Sequence, residues 1–64
     1  MRDERRQPFA RLLLIDHVAE SLGVSAKTVR RLIARRELAA CRLGRLVRVH
    51  PDDLAAYIDR RRAL

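Results

Sequence analysis

Several residue types that carry chemistry or anchor a chain are scarce here. There is one cysteine, Cys41, in 64 residues, so no disulfide can close within the chain. That fits a reducing compartment. No Cys-x-x-Cys or Cys/His cluster occurs, and His17 and His50 stand far apart in sequence, so neither a metal centre nor a cofactor is expected. The longest apolar run is Leu12-Leu13-Leu14-Ile15, far too short to cross a bilayer. The opening MRDERRQPF is charged and lacks the apolar core of a secretory signal. There is no internal repeat, no low-complexity tract and no heptad seam for a coiled-coil dimer. These absences predict a soluble cytoplasmic protein without a membrane partner, monomeric in solution. A chain this short has room for one domain, and it buries only about 60% of its unfolded surface.

What is abundant is positive charge. The formal net charge is +7, with a hydrophobic fraction of 48% that suffices for one compact core. The charge is segregated. Lys27, Arg30, Arg31, Arg35, Arg36, Arg42, Arg45 and Arg48 fall in one window, opposed only by Glu37. Outside it the signs mix, with Asp16 and Glu20 before and Asp52, Asp53 and Asp59 after. Such a pattern implies a polyanionic partner.

Residues 1–10 are poor in apolar side chains and include Pro8, and they read as a flexible N-terminal arm. Residues 11–64 form the folded domain. Ile15, Val18, Ala19 and Leu22 recur at helical spacing and predict a first helix over 15–22, with Asp16 suited to its N-terminal dipole. Gly23 stops it, since glycine takes the left-handed conformation at little cost. Val24 is expected to point inward. Ser25 is a good N-cap for a second helix from Ala26 to about Arg35. Ala26, Val29, Leu32 and Ile33 share one face of that helix, and Lys27, Arg31, Ala34 and Arg35 the opposite one, flanked by Thr28 and Arg30. Leu38 packs inward after it. Pro51 opens a third helix with Asp52 and Asp53 in its first turn. Leu54, Tyr57 and Ile58 supply its apolar face, and Arg60, Arg61 and Arg62 close it.

Residues 39–49 read as a hairpin around Gly44. A two-residue loop, Gly44-Arg45, pairs Leu43 with Leu46 and Arg42 with Val47, which mixes arginine and valine on one face. A three-residue loop, Gly44 to Leu46, pairs Leu43 with Val47, Arg42 with Arg48 and Cys41 with Val49, and leaves one face apolar. Because register follows the buried face, the longer loop is the expectation.

Two helices joined by a tight Gly-Val-Ser turn make a helix-turn-helix, whose second helix enters the major groove of DNA. Arginine can grip guanine with two hydrogen bonds, and a threonine methyl can touch thymine. The hairpin then serves as a wing, with Arg42, Arg45 and Arg48 on phosphates. The order and spacing of VAESLGVS, TVRRLI, EL, RLGRLVRV and DLAAYI go further. Residues 12–58 resemble the excisionase family, small MerR-like winged helix-turn-helix proteins also called recombination directionality factors. The resemblance implies a mostly α fold of three helices with a two-stranded β-hairpin wing. It implies Ser25, Lys27, Thr28, Arg30 and Arg31 at the recognition helix, and Arg45 in the wing; Ala26 and Arg35 of the same helix are read with them as DNA-binding residues. It also implies a non-catalytic, architectural protein that binds adjacent sites on double-stranded DNA cooperatively, bends it, and directs a phage integrase toward excision. Three positions depart from the family pattern. Leu14 stands where threonine or serine often caps the first helix, Arg36 where glycine is common, and Leu46 and Val47 where an aromatic is frequent.

Plainer readings stand beside this one. The arginines of 30–36 are also what a solvated face looks like in an arginine-rich chain with a single lysine. His17 and His50 read as surface or N-cap residues, Cys41 and Tyr57 as core, and Asp52 and Asp53 as helix-start charges. The Arg60–Arg62 run fits dipole complement, phosphate contact or solubility equally. Two rival functions remain: a small transcriptional regulator of the same fold, and a protein-interaction module whose basic face meets an acidic partner.

Overall fold

The computed structural model describes residues 11–62. The arm predicted for residues 1–10 lies outside the described residues. The elements follow in the order α1 (Ile15–Leu22), α2 (Ala26–Ala34), β1 (Cys41–Leu43), β2 (Leu46–Arg48) and α3 (Pro51–Arg61). β1 and β2 form an antiparallel hairpin, and an isolated bridge pairs Leu13 with Val49. That bridge, with backbone hydrogen bonds of 2.8 and 2.9 Å, ties the segment before α1 to the end of the hairpin.

One core holds these pieces. Ile15, Val18 and Ala19 of α1, Val29 of α2, Leu38, Val49 and Leu54 of α3 are buried, and Leu22, Ala26, Leu32, Ile33, Val47 and Tyr57 pack around them. The apolar faces predicted for α1 and α2 are therefore the buried faces. Val18, Val29 and Val49 are 0% exposed. Fully burying a side chain of this size stabilises by roughly 1.5–3 kcal/mol.

Both helix ends of the helix-turn-helix close the same way. At the end of α1, Val24 N–H donates to Ala19 O (3.0 Å) and Gly23 N–H to Glu20 O (3.3 Å), with Gly23 at φ +71°. At the end of α2, Glu37 N–H donates to Leu32 O (2.9 Å) and Arg36 N–H to Ile33 O (3.0 Å), with Arg36 at φ +62°. These are two Schellman closures, and the second places an arginine where the left-handed backbone favours glycine. Arg36, standing where glycine is common, thus carries backbone strain.

Three expectations need correction. First, the hairpin register is Cys41↔Arg48, Arg42↔Val47 and Leu43↔Leu46, so the loop is the two-residue Gly44-Arg45. Gly44 has φ +65° at the first central position, where two-residue hairpin turns favour glycine. Turn chemistry outweighed face alternation because the ribbon is short and only Val47 and Val49 need reach the core. Arg42 shares their face yet is exposed, and it lines a hollow with Ile33, Ala34 and Val47. Arg42 and Arg48 consequently do not face each other. Second, Cys41 is half-buried on the outer face of the ribbon, not in the core. Third, Val24 and Ile58 are exposed. At Leu14, where threonine or serine is common, no side chain caps α1; His17 Nδ1 accepts from Leu14 N–H at 3.4 Å, half of a capping box.

Candidate nucleic-acid interface

The recognition helix begins where its sequence says it should. Ser25 Oγ accepts from Thr28 N–H at 3.1 Å and lies 3.0 Å from Thr28 Oγ1, to which it donates. Ser25 is therefore engaged as the N-cap. Thr28 is half-buried beside it, and Lys27, Arg30, Arg31, Ala34 and Arg35 are exposed.

Angular spacing orders these side chains around α2. At about 100° per residue, Lys27 stands about 60° and Arg31 about 100° from Arg30, on the face away from Val29. Arg35 lies beyond them, about 140° from Arg30. Of the α2 cations, Arg30 lines hollows with hairpin residues, and Arg35 lies on the far flank.

Arg30 borders the hollows between helix and wing. A hollow of about 340 Å³ is lined by Arg30, Arg45, Leu46, Val47 and Arg48, with Leu14, Ile15 and Asp16 from the start of α1. A second, of about 200 Å³, is lined by Arg30, Ile33, Ala34, Arg42, Val47 and Ile15. The structure thus brings Arg30 together with Arg42, Arg45 and Arg48, although they are remote in sequence. Arg31 and Arg35 line neither hollow. Among the described residues Asp16 is the one carboxylate lining the first hollow, and its place in the sequence pointed only to the helix dipole.

Among the described residues the cations of this side are paired to no carboxylate. Among the described residues the ion pairs are Glu37–Arg61 (2.9 Å) and Asp59–Arg62 (3.5 Å), with His50 3.7 Å from the Asp52 carboxylate. None involves the arginines of α2 or of the hairpin. Arg48 Nη1 donates to the Val47 carbonyl at 2.9 Å, which holds its guanidinium against the ribbon.

Glu37, the single acid of the basic window, is turned the other way. Arg60 Nη2 donates to its carbonyl at 2.8 Å, and Arg61 Nη2 to its Oε1 at 2.9 Å. The Arg61 guanidinium also lies over the Tyr57 ring, 5.0 Å from its centroid. The C-terminus of α3 thereby clamps the loop leaving α2. That role for Arg60 and Arg61 was not visible in sequence, where the run fitted three explanations equally. His50 and Pro51 behave as read: His50 Nδ1 accepts from Asp52 N–H at 3.0 Å and caps α3. No described helix is long and apolar enough to cross a membrane.

Paired helices joined by a tight turn, with a hairpin whose arginines flank the second helix, define a small winged helix-turn-helix DNA-binding domain. Residues 12–62 match the family described as Helix-turn-helix domain. An excisionase of Mycobacterium phage D29 is 56% identical over 45 residues, covering 69% of this chain and 80% of that protein. The chain belongs to the excisionase family of helix-turn-helix proteins. Uncharacterized proteins of Mycobacterium bovis and Mycobacterium tuberculosis are 46% identical over 55 residues, 86% of this chain. The match covers 48% of their length, so this chain spans about half of them.

Proposed function

We propose that this protein binds double-stranded DNA as an excisionase and turns a phage or prophage integrase toward excision, acting in the cytoplasm without chemistry of its own. The N-terminal half of α2 enters the major groove. Lys27, Arg30 and Arg31 face base edges there, Thr28 offers its methyl, and Ser25 and Ala26 bring the helix start close to the backbone. Arg35 reaches a phosphate at the far flank. Arg42, Arg45 and Arg48 hold the backbone beside the wing. The observation that carries this reading is the sharing of Arg30 between two hollows with all three hairpin arginines, none of them paired to a described carboxylate. One duplex can then engage both elements at once. The chain is monomeric off DNA and assembles side by side on adjacent sites.

The test is a footprint on DNA surrounding its own gene, followed by recombination with the neighbouring integrase. A protected attachment-site arm and stimulated excision are expected. A footprint at a promoter, with no effect on recombination, would instead identify a transcriptional regulator of the same fold. Absence of any gel shift at low salt would end the DNA reading and favour an acidic protein partner.

A further inference from the structure

The hairpin carries a feature that phosphate binding does not use. Leu43 and Leu46 are 51% and 52% exposed, the most exposed large hydrophobic side chains among the described residues. They are not scattered. They are partners in the last rung of the ribbon, directly either side of the Gly44-Arg45 turn. Directly opposed residues project from the same face with Cβ atoms about 5 Å apart, so the two leucines form one apolar tip. Nothing in the fold requires them there. Neither belongs to the core or to the shell packed on it, and the turn needs only Gly44.

The surroundings of this tip are cationic. Arg45 is in the turn itself, and Leu46 shares its hollow with Arg30, Arg45 and Arg48. A second copy of this chain, at net charge +7, is a poor occupant for an apolar tip ringed by arginines. A polyanion with an apolar interior is a good one, and duplex DNA is such a molecule: phosphate outside, stacked bases inside. Proteins that bend DNA from the minor groove commonly insert apolar wedges, leucine among them, between base steps while arginines hold the flanking backbone. The tip is slender enough for entry. Only the two-residue Gly44-Arg45 turn stands beyond the leucines at the end of the ribbon.

We infer that Leu43 and Leu46 form a wedge that enters the minor groove of the bound duplex and opens a base step, so that the wing bends the DNA it holds. The inference rests on the DNA-binding reading above and assigns it a deformation site. Arg45 anchors the wedge on the backbone, and Arg30 keeps the recognition helix in the adjoining major groove.

The experiment uses the full chain and a duplex carrying one footprinted site, with 2-aminopurine replacing adenines across it and dyes at both ends. Protein binding should raise 2-aminopurine fluorescence at one step beside the wing and shorten the end-to-end distance. Leu43→Ala/Leu46→Ala, at exposed positions, should keep its circular dichroism spectrum and still bind, with Kd raised about tenfold. At saturation it should lose the 2-aminopurine signal and most of the bend. Leu46→Phe, larger and still apolar, should retain both. Arg45→Ala should weaken binding yet still open the step at saturating protein. A double variant that bends and unstacks like the parent overturns the wedge. So does one that loses only cooperativity on tandem sites, because the leucines would then meet another copy. A parent that binds without unstacking any base overturns the wedge alone, whereas a parent that binds no duplex removes the DNA reading with it.

Discussion

Arg36 holds a backbone conformation that costs an L-residue roughly 1–2 kcal/mol, at φ +62° in the closure of α2. The penalty persists because the closure satisfies two orphan carbonyls at the end of the recognition helix, those of Leu32 and Ile33. Arg36→Gly should therefore stabilise the domain by about 1 kcal/mol. In a thermal melt that is a rise of about 4–8 °C for a domain of this size. If Arg36 also touches phosphate, DNA affinity falls as stability rises, and the two measurements separate its roles. Other arginines divide by what they read. Arg31→Ala should cost roughly 1–3 kcal/mol of binding and relax the preference at one base position. Arg45→Ala should weaken binding to all sequences alike and lower the salt slope by about one. Titrations at several salt concentrations on matched and mismatched duplexes distinguish the two.

Elements matter here through their joints. The hairpin is bound to the start of α1 by the Leu13–Val49 bridge, and the loop after α2 is bound to α3 by Arg60 and Arg61 on Glu37. These joints determine how the wing stands relative to the recognition helix. Exposed ion pairs contribute little alone, but Arg61 also stacks on Tyr57, and Arg60 holds the backbone of the same residue. Glu37→Arg and Arg61→Glu should each lower the melting temperature, and the exchanged pair in one chain should recover most of the loss. Failure of the exchange to recover it would mean that the stacking and the carbonyl contact, not the charge pair, fasten the loop.

The molecule as a whole is a small core beneath a cationic side. Leu38 is 1% exposed, with Val18, Val29 and Val49 against 0%. Leu38→Ala should cost about 2–5 kcal/mol, a large share of what so small a domain has to spare. Denaturant titration should show a shifted midpoint or a chain already unfolded. The same loss should abolish DNA binding without removing any cation, since the hollow around Arg30 exists only when α1, α2 and the hairpin share that core. An unchanged midpoint would mean that Leu38 does not bridge the loop to the helices.

Much of this was legible in the sequence. Periodicity placed α1, α2 and their buried faces, and local residue chemistry placed the Gly23 turn, the Ser25 cap and the Pro51 start of α3, because helix spacing and capping depend on neighbouring residues; His50 was legible only as a surface or N-cap residue. The RLGRLVRV stretch located the hairpin but not its register, since glycine-first turn geometry and face alternation disagreed and only packing could arbitrate. The clamp of Arg60 and Arg61 on Glu37 joins residues more than twenty apart, and no local pattern announces such a contact. Sequence by itself determined which residues form helices and that the charge lies in one window, since both are properties of neighbouring residues. Tertiary structure decided that Arg30 meets the hairpin arginines and that Leu43 and Leu46 stand exposed at the tip, because those depend on how separate elements settle on a shared core.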